Sequence, residues 1–234
     1  MIKDLDLEIK KTNLYETVAE KLEQMILDDQ LKIGEKLPSE QTLGEKFGVS
    51  RNIVRESIKI LKERGLINVK TGDGAYIVKP KTGILGDMVN RIVAIGDTSF
   101  QEVYELRFAL EVDACGLAAE RVTDEEIAAL ECIIAQMQEN IDDVVQWVSL
   151  DWEFHSQIAK ATHNPLFRSF IKPLAGTFID MSKQGYSVKG ACKEGIKGHK
   201  LITEAIKNRD SKSARKEMME HLKRSKKDVF SGNK

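Results

Sequence analysis

The chain has 234 residues, enough for one large domain or two ordinary ones, and its 41% hydrophobic and 31% charged residues give the balance of a globular protein. A formal net charge of −1 neither supports nor excludes a nucleic-acid partner, because the sum hides local asymmetry. No apolar run approaches the ~20 residues that span a bilayer, "MIKDLDLEIKK" lacks the apolar stretch of a secretory signal, and Cys115, Cys132 and Cys192 form no Cys-x-x-Cys pair, so the expectation is a cytoplasmic chain with reduced thiols and no membrane partner.

The first dozen residues carry no structural pattern and are expected to be loose, as is the closing "SGNK". Tyr15, Val18, Leu22 and Ile26 then recur at helical spacing and predict a first helix over about 14–28. In "GEKLPSEQTLGEKFGVSRNIVRESIKILKERGLI", Ser39 caps a short helix that ends at Gly48, and Ser50 caps another after a three-residue turn. At ~100° per residue, Val54, Ser57, Ile58 and Leu61 share a side that would be buried. Arg55, Lys59 and Lys62 fall together on a second side, with Arg51 and Asn52 at the N-terminal end. "INVKTGDGAYIV" is a pair of β-prone runs around Thr71-Gly72-Asp73-Gly74, the composition of a hairpin turn. Two capped helices joined by a short turn and followed by a hairpin make a winged helix-turn-helix.

Residues 1–80 hold 14 basic and 14 acidic side chains, yet residues 46–79 hold eight basic and three acidic ones. A lone basic face is usually a solvated helix surface. Here the caps, the basic face and the glycine-bearing hairpin coincide, which concentrates positive field where a recognition helix and wing would meet phosphates. "KPKTG", residues 79–83, reads as a linker, dividing a DNA-binding domain at 12–78 from a second domain at 84–230.

The stretch "LPSEQTLGEKFGVSRNIVRESIKILKERGLI" with "GDGAYIV" resembles the DNA-binding domain of the GntR family of bacterial transcription regulators, over about residues 12–78. The resemblance implies contacts to DNA from Gln41, Ser50, Arg51, Asn52, Arg55 and the wing tip at Thr71 and Gly72. Arg51 or Arg55 would bind a guanine through two donors, while Ser50 and Lys70 would hold the phosphate backbone. It also implies a homodimer on a palindromic double-stranded operator.

Beyond the linker the spacing is helical throughout, which predicts an all-α bundle of six or seven helices and makes the whole chain mainly α. Ser99-Phe100-Gln101-Glu102 and Thr123-Asp124-Glu125-Glu126 have the form of capping boxes, and Asp210 that of an N-cap. In "SLDWEFHSQIAKATHNP", Trp147, Leu150, Phe154, Ile158 and Ala161 define a buried arc, with Asp151 and His155 as an i,i+4 pair at its edge. Glu153, Gln157 and Lys160 point to solvent, and His163 lies at the helix end. His199 shares a face with Ile202 and Ile206, and His221 with Ala214 and Met218. An Asp–His hydrogen bond alone would satisfy much of the cost of burial. Three inward histidines and one inward aspartate on three helices have, however, the composition of a divalent-metal site.

"EVYELRFALEVDACGLAAERVTDEEIAALE", "DWEFHSQIAKATHNPLF" and the two later helices resemble the ligand-binding domain of the FadR-type subgroup, over about residues 84–228. "ILGDMVNRIVAIGD" resembles the extra helix of its longer, seven-helix form. The resemblance implies a divalent metal on Asp151, His155, His199 and His221, and it argues against a fatty-acyl effector. Four protein ligands leave two positions on a six-coordinate Zn, Ni or Mn ion for a small carboxylate effector. Arg107 has two readings, a fork for that carboxylate or an ion-pair partner of Glu111. Asn164 likewise reads as a pocket residue by resemblance or as a turn residue by pattern.

The expectation is therefore a repressor, not an enzyme, controlled by a metal-anchored organic acid. A metal-dependent enzyme acting on a small organic acid is the rival, weakened by the fused helix-turn-helix and by the lack of an inward acid beyond Asp151 with an obvious general-base place, Glu111 staying open as a candidate. A regulator whose metal only fastens helices is the third reading.

Overall fold

The computed structural model describes residues 13–80, 98–172 and 190–232, with scattered positions between these blocks. Residues 1–12, most of the expected linker and much of 84–97 lie outside the described residues. The chain divides into two compact units, Met1–Ile84 and Leu85–Lys234.

In the first unit, α1 (Leu14–Leu27), α2 (Glu40–Phe47) and α3 (Arg51–Glu63) precede the antiparallel strands β1 (Ile67–Lys70) and β2 (Gly74–Ile77). The local sequence explains each boundary. The Ser39 hydroxyl accepts from the Thr42 amide at 3.1 Å, and the Ser50 hydroxyl accepts from the Ile53 amide at 3.4 Å. Gly48 ends α2 at φ +67°, where a side chain would be strained. Gly44 has no such φ, but a Cβ there would meet the Val49 carbonyl at 2.9 Å, so its missing side chain lets the turn fold onto α2. Ile67 pairs with Ile77 and Lys70 with Gly74, and the turn between them places Gly72 at φ +77°.

The core of this unit gathers Val18 and Leu22 from α1, Val54 and Leu61 from α3, Leu37 from the preceding loop and Ile77 from β2. Ser57 is fully buried, and its hydroxyl lies 2.8 Å from both the Tyr15 and Ile53 carbonyls, so it ties α3 to α1. Ile58, expected to be buried, is half-buried.

The second unit is helical: α4 (Phe100–Arg121), α5 (Asp124–Glu139), α6 (Val144–Ala161), a helical stretch at 165–172, α7 (Ala191–Lys207) and α8 (Ser211–Gly232). Both capping boxes form, with side chain and backbone satisfied reciprocally at Ser99/Glu102 and Thr123/Glu126. Asp210 accepts from the Ser213 amide at 3.0 Å. Helix α8 continues through Gly232, so Ser231 and Gly232 belong to a helix and not to a loose tail. Helix α4 packs on α6, α7 and α8, while α5 covers α6 and α7. Trp147, Phe154, Ile158, Leu130, Ile202, Met218 and Leu222 meet in the core. Cys115 and Cys192 are buried and Cys132 is exposed. No helix among the described residues is long and apolar enough to cross a membrane.

Candidate functional site

Four polar side chains converge inside the second unit. Asp151 and His155 descend from successive turns of α6, His199 from α7 and His221 from α8; each is at most 5% exposed. One ligand atom from each lies within 4.8 Å of all the others. His199 Nε2 is 3.1 Å from Asp151 Oδ1, and His155 Nε2 is 4.0 Å from the same oxygen. The His199 and His221 rings lie 4.5 Å apart between centroids, and those of His155 and His221 5.3 Å. Glu153 and Lys160 face solvent, Gln157 is half-buried, and Trp152, outside the expected arc, is buried.

The donor set fits a divalent metal. Ligand bonds of ~2.0–2.2 Å allow donors up to about 4.4 Å apart, close to the 4.8 Å within which these four atoms lie, so only a small inward movement is needed. Nδ1 of His199 and Nε2 of His221 are buried with no hydrogen-bond partner among the described residues, which is costly unless something accepts their lone pairs or protons. Burial pushes the His221 imidazolium well below its ordinary range and lowers His199 as well, leaving the neutral rings that ligation requires. Burial would raise Asp151, but His199 bonding to it and the nearby imidazoles hold it below the usual carboxylate range.

Helix α4 supplies a second layer. Arg107 Nε donates to Glu111 Oε1 at 2.6 Å, and Arg107 Nη2 lies 3.4 Å from Glu111 Oε2. The same carboxylate also meets His155, with Oε2 2.5 Å from Nδ1. Burial would raise Glu111, yet Arg107 and then His155 hold it down to about 2. Burial would lower Arg107, but Glu111 raises it further, so the guanidinium stays charged. It rests over the Trp152 ring at 4.6 Å and within 3.4 Å of His155 Nε2. Two buried carboxylates, Glu111 and Asp151, thus lie beside the buried Arg107 guanidinium, a concentration of buried anionic charge that a divalent cation would help to offset.

Two contributors were not legible in the sequence. Glu111 was read as an i,i+4 partner of Arg107 and as a general-base candidate, not as a contact of His155, which lies on another helix. Gly198 is the other: a Cβ there would lie 2.8 Å from His221 Nδ1, so the bare backbone of α7 leaves room for the ring from α8. No spacing rule reveals that approach. Asn164 is engaged in the turn after α6, where its Oδ1 accepts from the Leu166 amide at 3.0 Å. His163, at φ +53°, ends that helix, and its exposed ring lies 3.0 Å from Glu126.

In the first unit, Gln41, Ser50, Arg51, Asn52, Arg55, Lys70, Thr71 and Gly72 are all exposed. Arg51 and Arg55 both engage Glu40 at the start of α2, a residue that sequence reasoning did not single out. Asp73 fastens the wing, accepting from Lys36 Nζ at 2.7 Å and the Tyr76 hydroxyl at 2.8 Å. Lys70 lies over the Tyr76 ring at 4.7 Å.

Known proteins share both halves. The profile of "Bacterial regulatory proteins, gntR family" matches residues 14–77, and that of the FCD domain matches residues 102–224. YcbG of Bacillus subtilis, an uncharacterized HTH-type transcriptional regulator, is 30% identical over 92% of this chain and 89% of its own length. The HTH-type transcriptional regulator LutR of the same organism is 27% identical over 89% of this chain and 97% of its own. The HTH-type transcriptional repressor NanR of Salmonella newport is 30% identical over 92% and 84%. Among solved structures, Streptococcus agalactiae GntR superposes with a TM-score of 0.65 at 25% identity, covering 91% of this chain and 99% of its own. E. coli McbR/YncC, at 20% identity and a TM-score of 0.54, shares the fold.

Winged helix, helical effector domain and relatives together define a DNA-binding transcriptional regulator, not an enzyme. The chain belongs to the GntR family, in the FadR-type subgroup that carries a C-terminal FCD domain.

Proposed function

We propose that this regulator is a repressor whose operator affinity is set by a small organic acid bound at a divalent metal in the helical domain. The buried Asp151, His155, His199 and His221 cluster beside a buried Arg107 is the observation that carries the reading. The metal, Zn, Ni or Mn, would be held by those four side chains and would supply a Lewis-acidic anchor with open positions. Arg107 would offer its fork to the carboxylate, and exchange of its contact with Glu111 for one with the ligand would change how α4 is held against α6. Asn164 would line the same pocket from the turn after α6.

In the DNA-binding domain, residues 12–78, Arg51 and Arg55 would read base edges and Gln41 and Asn52 would assist them. Ser50, Lys70, Thr71 and Gly72 would meet phosphates and the minor groove. Residues 79–83 would link this domain to the effector domain at 84–230, and two copies would bind a palindromic operator in the cytoplasm. Differential affinity of the acid for two arrangements of the dimer would couple effector to operator. The similarity to the Salmonella repressor supports the direction of regulation.

Elemental analysis of the purified chain with a thermal-shift panel of small carboxylates tests this. One divalent ion per chain is expected, with a melting temperature that falls on chelation and rises with at least one acid only while metal is bound. A metal-free protein that takes up no divalent ion and shows no change on chelation would overturn it.

A further inference from the structure

Glu40 occupies the first position of α2, yet its carboxylate reaches α3. Oε2 lies 2.7 Å from Arg51 Nε and 3.3 Å from Arg55 Nη2, and Oε1 lies 3.3 Å from Arg55 Nε. The anchor is the sheltered member of the trio: its side chain is 26% exposed, against 67% for Arg51 and 47% for Arg55. Arg51 and Arg55 are i,i+4 neighbours on one face, so their like charges repel where both must aim at DNA. A carboxylate between them relieves that repulsion and fixes the direction of both guanidiniums. Hydrogen bonds from Arg55 and then Arg51 hold Glu40 below the usual carboxylate range, so the clamp is charged at neutral pH.

We propose that Glu40 is the specificity-positioning residue of the DNA-binding domain: it pre-orients Arg51 and Arg55 for base edges and withholds their charge from indiscriminate phosphate contact. This rests on the assignment of Arg51 and Arg55 as base readers. A guanidinium already held by a carboxylate gains little from a phosphate reached by bending away. It gains more from a guanine edge, met through its remaining donors without leaving Glu40. The clamp thus lowers affinity for arbitrary DNA more than for the operator, and specificity is that difference.

The test uses the full chain and a duplex selected by the wild-type protein from a random-sequence pool. Affinity for that duplex and for a scrambled one is measured across a salt series for wild type, E40Q, E40D and R55A. Removing the charge in E40Q should tighten scrambled-duplex binding, steepen the dependence of log K on log salt by about 1, and lower the specificity ratio on the order of tenfold. E40D keeps the charge but withdraws it by one methylene. It should lose specificity while keeping the wild-type salt slope, and it covers the case in which E40Q does not fold. Wild-type ratios in both Glu40 variants, with R55A weakened about tenfold on the selected duplex, would overturn the positioning role and leave the base readers standing. An R55A variant that binds the selected duplex like wild type would instead overturn the base-reader assignment, and the proposal with it.

Discussion

Arg107 stands where two readings of one residue meet. Its spacing to Glu111 and its expected partnership with an effector carboxylate both follow from an inward arginine, and the structure realises the first, with Nε 2.6 Å from Glu111 Oε1. The same carboxylate reaches His155 Nδ1, which would leave Nε2 to ligate the proposed metal. Replacing Glu111 by Gln keeps the shape but weakens the acceptor that orients the ring. Divalent-metal affinity of E111Q should fall about 10–100-fold, measured by isothermal titration calorimetry. Asp151, His155, His199 and His221 were legible because each sits at helical spacing among apolar neighbours, and a polar side chain on such a face needs a partner. Glu111 and Gly198 were hidden for the converse reason. Their roles depend on the distance between α4 and α6 and between α7 and α8, which no single helix encodes.

At the scale of elements, the caps were the most legible features, since a cap involves residues three apart and is settled locally. Ser39, Ser50, Ser99 and Thr123 all accept from the amides expected of them. Contacts across elements were less so: Asp73 binds Lys36 from 37 residues away, and Glu40 binds Arg55 across 15. The caps also set a pH dependence. A hydrogen bond from Ser99 holds Glu102 below its ordinary 4.5, and the Ser213 amide holds Asp210 below 3.8. Their folded values are depressed, so the stability they contribute is present above the unfolded values and is lost as pH falls through the folded ones. The urea midpoint should therefore begin to drop below about pH 4.5, and a variant carrying E102Q and D210N should show a shallower drop over the same interval.

For the whole molecule, the two units divide the work in a way the sequence announced by its change of pattern: short capped helices and a hairpin first, then helical spacing alone. The identity of the proposed acid would depend on how several helices sit around the Asp151, His155, His199 and His221 cluster, and composition carries no image of that arrangement. The central claim is that a metal-anchored carboxylate governs DNA binding, and the most direct measurement is operator affinity by fluorescence anisotropy, with acetate, malonate, succinate and citrate titrated into metal-loaded and chelator-treated protein. At least one acid should shift the affinity of the metal-loaded chain by about 5–150-fold, the usual range of coupling between two sites, and chelation should abolish the shift. A shift that survives chelation, or that persists in H199A and H221A, would contradict the account.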